Sequence, residues 1–271
     1  MASRHRLSVT AALFLVAQLS FADDKPMPPQ ITAIHPTANT LPANHLKFYL
    51  HFSQPMRQGV FLDHCKLLDD HGQPVTEPFR ETELWNEDGT RLTLWFHPGR
   101  QKTGVNLNVD LGPIVEPKRR YKLVISGAWP SADGIRLGRV VEKFFVTSDR
   151  VTTQLDITAW KIMPPDAGTK KPLEVHFPAP LDHALLLRCL RVADERGGEW
   201  HGTSSTADTD KVWRFTPEHS WTPGTYAVLT DSILEDLAGN SLARPFQVNV
   251  NEPAQARVPP VLRREFTITP R

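Results

Sequence analysis

The chain has 271 residues, 40% of them hydrophobic and 23% charged, with 31 Lys and Arg against 30 Asp and Glu. That length holds two domains with separate cores, and a formal charge of +1 leaves no electrostatic footprint for nucleic acid. The 24 prolines, mostly at the edges of apolar runs, suit short strands and turns better than long helices.

The N-terminus has the form of an export signal. Arg4, His5 and Arg6 precede a 15-residue apolar run, Leu7–Phe21, and Ser20–Phe21–Ala22 fits the small-x-small cleavage pattern. The run is short for an anchor, which takes about 20 apolar residues. Residues 1–22 are therefore expected to be a signal peptide whose removal leaves a periplasmic or secreted chain with no membrane span. That chain carries 29 basic and 30 acidic side chains. Export permits disulfides, but Cys65 and Cys189 fall one in each half at nearly corresponding places. Two buried free thiols are expected.

Residues 28–148 read as a first β-sandwich. Ile31–Pro36 is a short strand closed by Pro. Leu46–Phe52 alternates with period two, setting Leu46, Phe48, Leu50 and Phe52 on one face and Lys47, Tyr49 and His51 on the other, expected solvated, face. Cys65–Val75 reads as strand, Asp/Gly turn and strand. Leu92–Phe96, Tyr121–Ser126 and Lys143–Thr147 complete about seven strands. Residues 152–250 repeat the order. Leu173–Phe177 matches the Phe48 strand, Leu190–Gly197 matches Cys65–Gly72, and Val212–Val250 completes the copy, with Phe246–Val248 as its last strand. Tyr121 and Tyr226 each precede a turn glycine, Gly134 or Gly239, by 13 positions. The copies differ between the Pro ending one strand and the Tyr opening the next: Pro98 to Tyr121 is 23 positions, Pro217 to Tyr226 only 9. The additional residues, 101–116, are expected to form a loop that either binds a ligand or packs over one end of the domain. Residues 251–271 are a Pro-rich tail whose Glu265–Ile268 alternates and could dock as an edge strand or stay flexible.

This order of motifs resembles the bacterial immunoglobulin-like domain of the S-layer SbsA type, in two tandem copies. The first copy supplies Phe52–Ser53–Gln54–Pro55–Met56, Asp69–Gly72, Phe96–Pro98, Tyr121, Asp133–Gly134 and Phe144–Val146. The second supplies Phe177, Pro180–Leu181, Asp194–Gly197, Phe215–Pro217, Gly224–Tyr226, Ala238–Gly239–Asn240 and Phe246–Val248. Ile135 replaces the Asn after the turn glycine in the first copy, and Pro178–Ala179 stands where Ser-x is usual in the second. The resemblance implies non-catalytic cell-envelope or secreted modules that act as spacers, adhesins or partners of larger complexes, with no active site and no cofactor.

The residues raise four candidate chemistries. Asp231, Glu235, Asp236 and Asn240 put three carboxylates and an amide in one loop, which could offer oxygens to Ca²⁺. A Gly-Asn turn flanked by amide-capping acids explains them with less. Ten histidines follow the signal, five being His35, His45, His51, His176 and His183, without His-x-His, HExxH or a Met-rich cluster. Small periplasmic β-sandwich copper carriers also open on a Pro-turn-strand-Phe-Ser-x-Pro run, yet scattered surface histidines and no metal site are the expectation. Trp95 points outward in its strand and is the one candidate ligand contact, for a sugar face; cover by a neighbouring domain is the plainer reading. No GxSxG, GxGxxG or P-loop is present, and His64 next to Cys65 points to the opposite face. The sequence thus predicts an all-β chain of two tandem immunoglobulin-like sandwiches, not an enzyme, that binds an unidentified protein or cell-envelope component. The alternative is a binder of carbohydrate or metal ion using the loops of the first domain.

Overall fold

The computed structural model describes residues 27–247 and 257–270, so the expected signal segment, 1–22, lies outside it. The first sandwich contains β1 (Ile31–His35), β2 (Thr40–Pro42), β3 (Lys47–Phe52), a helical turn α1 (Phe61–His64) and β4 (Cys65–Leu68). It continues with β5 (Leu84–Trp85), β6 (Arg91–Trp95), α2 (Pro98–Gln101), α3 (Asn106–Leu111), β7 (Arg120–Ile125) and β8 (Val141–Ser148). The second contains β9 (Lys161–Met163), β10 (Leu173–His176), α4 (His183–Cys189), β11 (Leu190–Asp194) and β12 (Glu199–Trp200). β13 (Gly202–Ala207), β14 (Val212–Pro217), β15 (Gly224–Asp231) and β16 (Val261–Ile268) complete it.

Each sandwich is two sheets of four strands, β1-β3-β6-β5 over β2-β8-β7-β4 and β9-β10-β14-β13 over β12-β11-β15-β16. All pairings are antiparallel except β2 with β8. β1-β3-β6-β5 corresponds strand for strand to β9-β10-β14-β13, and β8-β7-β4 to β16-β15-β11, while β2 and β12 lie at opposite edges of their sheets. A helical segment leads into β4 in one copy and β11 in the other. The chain is two tandem immunoglobulin-like β-sandwiches.

Each core is built by strand alternation. Phe48, Leu50, Leu92, Leu94, Phe96 and Trp129 are almost wholly buried in the first, and Leu173, Val175, Trp213, Trp221 and Val228 in the second. Burying one such side chain is worth about 1.5–3 kcal/mol. Two of the buried indoles also satisfy their polar edge: Trp129 Nε1 donates to Arg57 O at 3.1 Å and Trp221 Nε1 to Lys171 O at 2.9 Å. The Asp-x-x-Gly turns share one mechanism. Asp69 Oδ1 accepts from the amides of His71 and Gln73 (2.9 and 2.8 Å), and Asp194 Oδ1 from those of Arg196 and Gly198 (2.9 and 2.8 Å). Gly72 and Gly197 supply the left-handed residue, φ 76° and 82°. Cys65 and Cys189 are buried and unbridged.

Three expectations are corrected. The second copy's last strand is not Phe246–Val248. Ser241–Gln247 is irregular with one bridging residue, Val248 lies outside the described residues, and the position beside β15 is filled by β16, in register from Gly224↔Ile268 to Asp231↔Val261. The apparent tail thus contributes the counterpart of β8, with Phe266 and Ile268 in the core where Phe145 and Thr147 stand in the first copy. Phe246–Val248 carries the repeat's Phe-x-Val motif but follows Tyr226 by only 20 positions where Phe145 follows Tyr121 by 24, and the strand that pairs comes later in the chain. Residues 101–116 are not a plain loop but the end of α2 and all of α3. Arg100, 4% exposed, staples them by donating to the carbonyls of Thr76, Glu77, Leu111, Gly112 and Pro113. Finally, the outer face of β3 is not solvated. Lys47 and Tyr49 are buried and His51 half-buried, because the second sandwich lies against them.

Candidate functional site at the junction of the two sandwiches

β3 alternates as the sequence requires, but both of its faces are covered, one by its own core and the other by residues of the second sandwich. Lys47 Nζ lies 2.9 Å from Asp182 and 3.1 Å from Glu235, and 4.9 Å from the centre of the Trp95 ring. The Tyr49 hydroxyl reaches both Asp182 oxygens at 2.9 Å. Asp182 also caps α4 by accepting from the Leu185 amide at 2.9 Å, so one 2%-exposed carboxylate joins a strand of one domain to a helix of the other. Burial opposes the Lys47 charge, but Asp182 and Glu235 outweigh it and its pKa is raised. Burial and then the Asp182 charge push Tyr49 up as well, holding it as a hydrogen-bond donor.

Backbone and amide bonds close the junction around this centre. The Leu46 amide donates to Leu237 O at 3.0 Å. Asn44 makes a two-way contact with Val151, donating to its carbonyl at 2.7 Å and accepting from its amide at 2.9 Å, and Asn240 Nδ2 donates to the same carbonyl at 3.0 Å. Beside the polar centre an apolar cleft of about 430 Å³ opens between the domains, lined in part by Ala38, Pro42, Val151, Pro180 and Leu237.

Next to Tyr49 stand three histidines. His35 ends β1 and His51 is near the end of β3. In the antiparallel register His35 faces Tyr49 and His51 faces Ala33, which puts both imidazoles on the outer face, with ring centres 5.4 Å apart. His183 opens α4 and stacks on His35 at 3.4 Å between ring centres. One ring nitrogen from each of the three lies within 4.8 Å of the others. Asp210, 2% exposed, receives His183 Nδ1 at 2.8 Å and sits 3.6 Å from His35 Nδ1, too far for a hydrogen bond. Burial tends to raise the Asp210 pKa, but contacts from His183, His35 and Thr206 win and hold it well below the usual carboxylate range. Burial, then the neighbouring His35, His183 and Arg91 charges, lowers His51 to about 4. The expectation of scattered surface histidines is therefore corrected at three positions, which gather half-buried at the junction. His176, at the matching place on β10, is the solvated strand residue expected, paired with Glu174 at 2.9 Å.

The other candidates are placed as follows. Asp231 binds Arg191 at 2.8 Å and Glu235 binds Lys47. Asp236 Oδ1 accepts from the amides of Ala238 and Asn240, and its Oδ2 from Asn240 Nδ2 at 2.9 Å. These groups are engaged in turn and junction contacts and do not converge on a common point. Trp95 is half-buried, with Lys47 Nζ of the neighbouring strand over its ring. The histidine trio was missed because its members lie on three separate elements of two domains. The one local signal was a strand whose outer face carries Lys, Tyr and His together.

No protein-family model matches the chain, and no curated protein matches it. Among solved structures it is similar to native alpha-2-macroglobulin from Escherichia coli over domains MG0-NIE-MG1, at 10% identity and TM-score 0.31, covering 90% of this chain and 72% of that one. It is also similar to domains 1–6 of the surface layer protein SbsC, at 9% identity and TM-score 0.29, covering 91% of this chain and 41% of that one. A third likeness is to the titin domains z1z2, at 13% identity and TM-score 0.22, over 75% of this chain and 89% of that one. The two-sandwich architecture rests on the sheets and cores themselves, and none of these likenesses bears on function. Among the described residues no helix is long and apolar enough to cross a membrane.

Proposed function

We propose that this chain is an exported, non-catalytic interaction module of the bacterial cell envelope or secreted space, built from two immunoglobulin-like domains of the S-layer SbsA type. The observation that carries the reading is the buried junction. Lys47, Tyr49 and Asp182 tie the sandwiches together through groups that are costly to bury unpaired, which sets the domains at one orientation. A fixed orientation is what a spacer or a partner-binding surface spanning both domains needs. The order of turn and strand motifs, and the signal-like segment 1–22, support the assignment of class and compartment.

The test is affinity capture from an envelope extract of the source organism, with immobilised chain lacking residues 1–22 and the Lys47→Met variant beside it. The reading expects a defined partner retained by the unaltered chain and released or weakened by the variant. Retention of nothing, or equal retention by both, would refute it. A second reading, a metal-binding protein, is favoured by the His35, His51 and His183 trio.

A further inference from the structure

We propose that His35, His51 and His183 bind one divalent transition-metal ion, Zn²⁺ or Cu²⁺ by chemical class, as a clasp between the two sandwiches. Imidazole sets suit these ions, whereas Ca²⁺ and Mg²⁺ want oxygen. Tetrahedral zinc holds nitrogen ligands at about 2.0–2.1 Å, hence roughly 3.4 Å apart. The trio, with ligand atoms within 4.8 Å of one another, needs side-chain rotations on the order of 1 Å to close.

Three further observations point to an ion. His35 Nδ1 and His51 Nε2 are buried without a hydrogen-bond partner, a state that costs stability unless something else engages them. His183 already has the arrangement of a ligating histidine. Its Nδ1 is held by Asp210 at 2.8 Å, which leaves Nε2 for the ion and raises its basicity. Asp210 itself is the third of three successive non-glycine residues at positive φ, Asp208, Thr209 and Asp210 at 47°, 54° and 66°. Such backbone persists where the surroundings over-determine it, and it gathers at ligand sites.

The charges around the site are mixed. Arg91 lies across the strand pair from His51 and opposes a cation, while the Asp210 carboxylate, buried against two of the histidines, favours one. Because His35 and His51 come from the first domain and His183 from the second, the complete site exists only in the closed junction. The ion therefore stabilises that junction by mass action.

The experiment uses the full mature chain stripped with EDTA and titrated calorimetrically with ZnCl₂, CuCl₂ and CaCl₂. His51→Gln, His183→Gln, Asp210→Asn and the solvated His71→Gln are titrated in parallel, each checked for folding by circular dichroism. The proposal expects one Zn²⁺ or Cu²⁺ per chain and none of Ca²⁺. Binding is lost in His51→Gln and His183→Gln, weakened about 10–100-fold in Asp210→Asn, and unchanged in His71→Gln. At 100 times its dissociation constant the ion should raise Tm by about 5–10 °C. The Cu²⁺ form of the unaltered chain, which requires no variant to fold, should show nitrogen superhyperfine splitting from three imidazoles. Absence of that splitting, no binding below millimolar ion, or stoichiometric binding that survives both histidine substitutions would overturn it.

Discussion

Lys47→Met removes the cation at the centre of the junction while keeping the length of its side chain. Asp182, 2% exposed, loses its 2.9 Å partner and keeps Tyr49 and the Leu185 amide, and Glu235 loses its own at 3.1 Å. Leaving one member of a buried pair uncompensated costs about 3–5 kcal/mol, well above the roughly 0–1 kcal/mol of a surface pair. At about 2–4 °C per kcal/mol for a chain of this size, the Tm should fall by on the order of 10 °C. Urea and thermal unfolding followed by tryptophan fluorescence and circular dichroism measure it. Asp182→Ser keeps a helix cap and removes the orphaned charge, so the pair Lys47→Met with Asp182→Ser should recover at least half of the loss. A single-variant loss below about 1 kcal/mol would place Lys47 in solvent and refute the closed junction.

Three other consequences follow from the packing. His45 is fully buried with its pKa pushed down to about 3 by burial, then by the Lys47 and Lys143 charges against a backbone contact at Leu237. Its unfolded value is near 6.5, so the unfolded chain binds the extra proton and stability falls between pH 6.5 and 3. This one group removes about 2 kcal/mol on going from pH 7 to pH 5, a dependence that His45→Leu should abolish in urea titrations at the two pH values. A Cβ on Gly239, at φ 79°, would stand 2.3 Å from Leu46 Cδ1, whereas the corresponding Gly134, at φ 84°, meets nothing within 4 Å. Gly239→Ala should therefore cost clearly more than the roughly 1 kcal/mol or so of backbone strain expected for Gly134→Ala, and equal costs in chemical denaturation would contradict the close approach. Phe266→Ala, at a 7%-exposed position on β16, should cost about 3–5 kcal/mol and lower the unfolding midpoint of the second sandwich, which a flexible tail would not do.

The strands and cores were readable because alternation and Asp-x-x-Gly turns are local physics. The period of Leu46–Phe52 set Phe48, Leu50 and Phe52 inward, and the spacing from Tyr121 and Tyr226 to their glycines aligned the repeat. What failed depends on distance along the chain. The outer face of β3 reads as polar and solvent-facing from its own residues, and only the placement of Asp182, His183 and Asp210 against it turns it into a junction. β16 was legible only as one of two options, an alternating Glu265–Ile268 that could dock or stay flexible, because the Phe-x-Val motif at Phe246 drew the repeat's last strand to an earlier place. The histidine trio combines both difficulties, since His183 is more than 130 positions from His51 and its only sequence neighbour of note is the cap Asp182.

Whether the two sandwiches form one body is measured most directly by the distance between spin labels on equivalent turns. His71→Cys and Glu195→Cys place one label on each domain at exposed sites, and the native cysteines are buried. Pulsed electron paramagnetic resonance should give a single narrow distance distribution for the parent chain, broadened by Lys47→Met. A broad distribution in the parent, unaltered by Lys47→Met, would mean the domains move independently and would contradict the account.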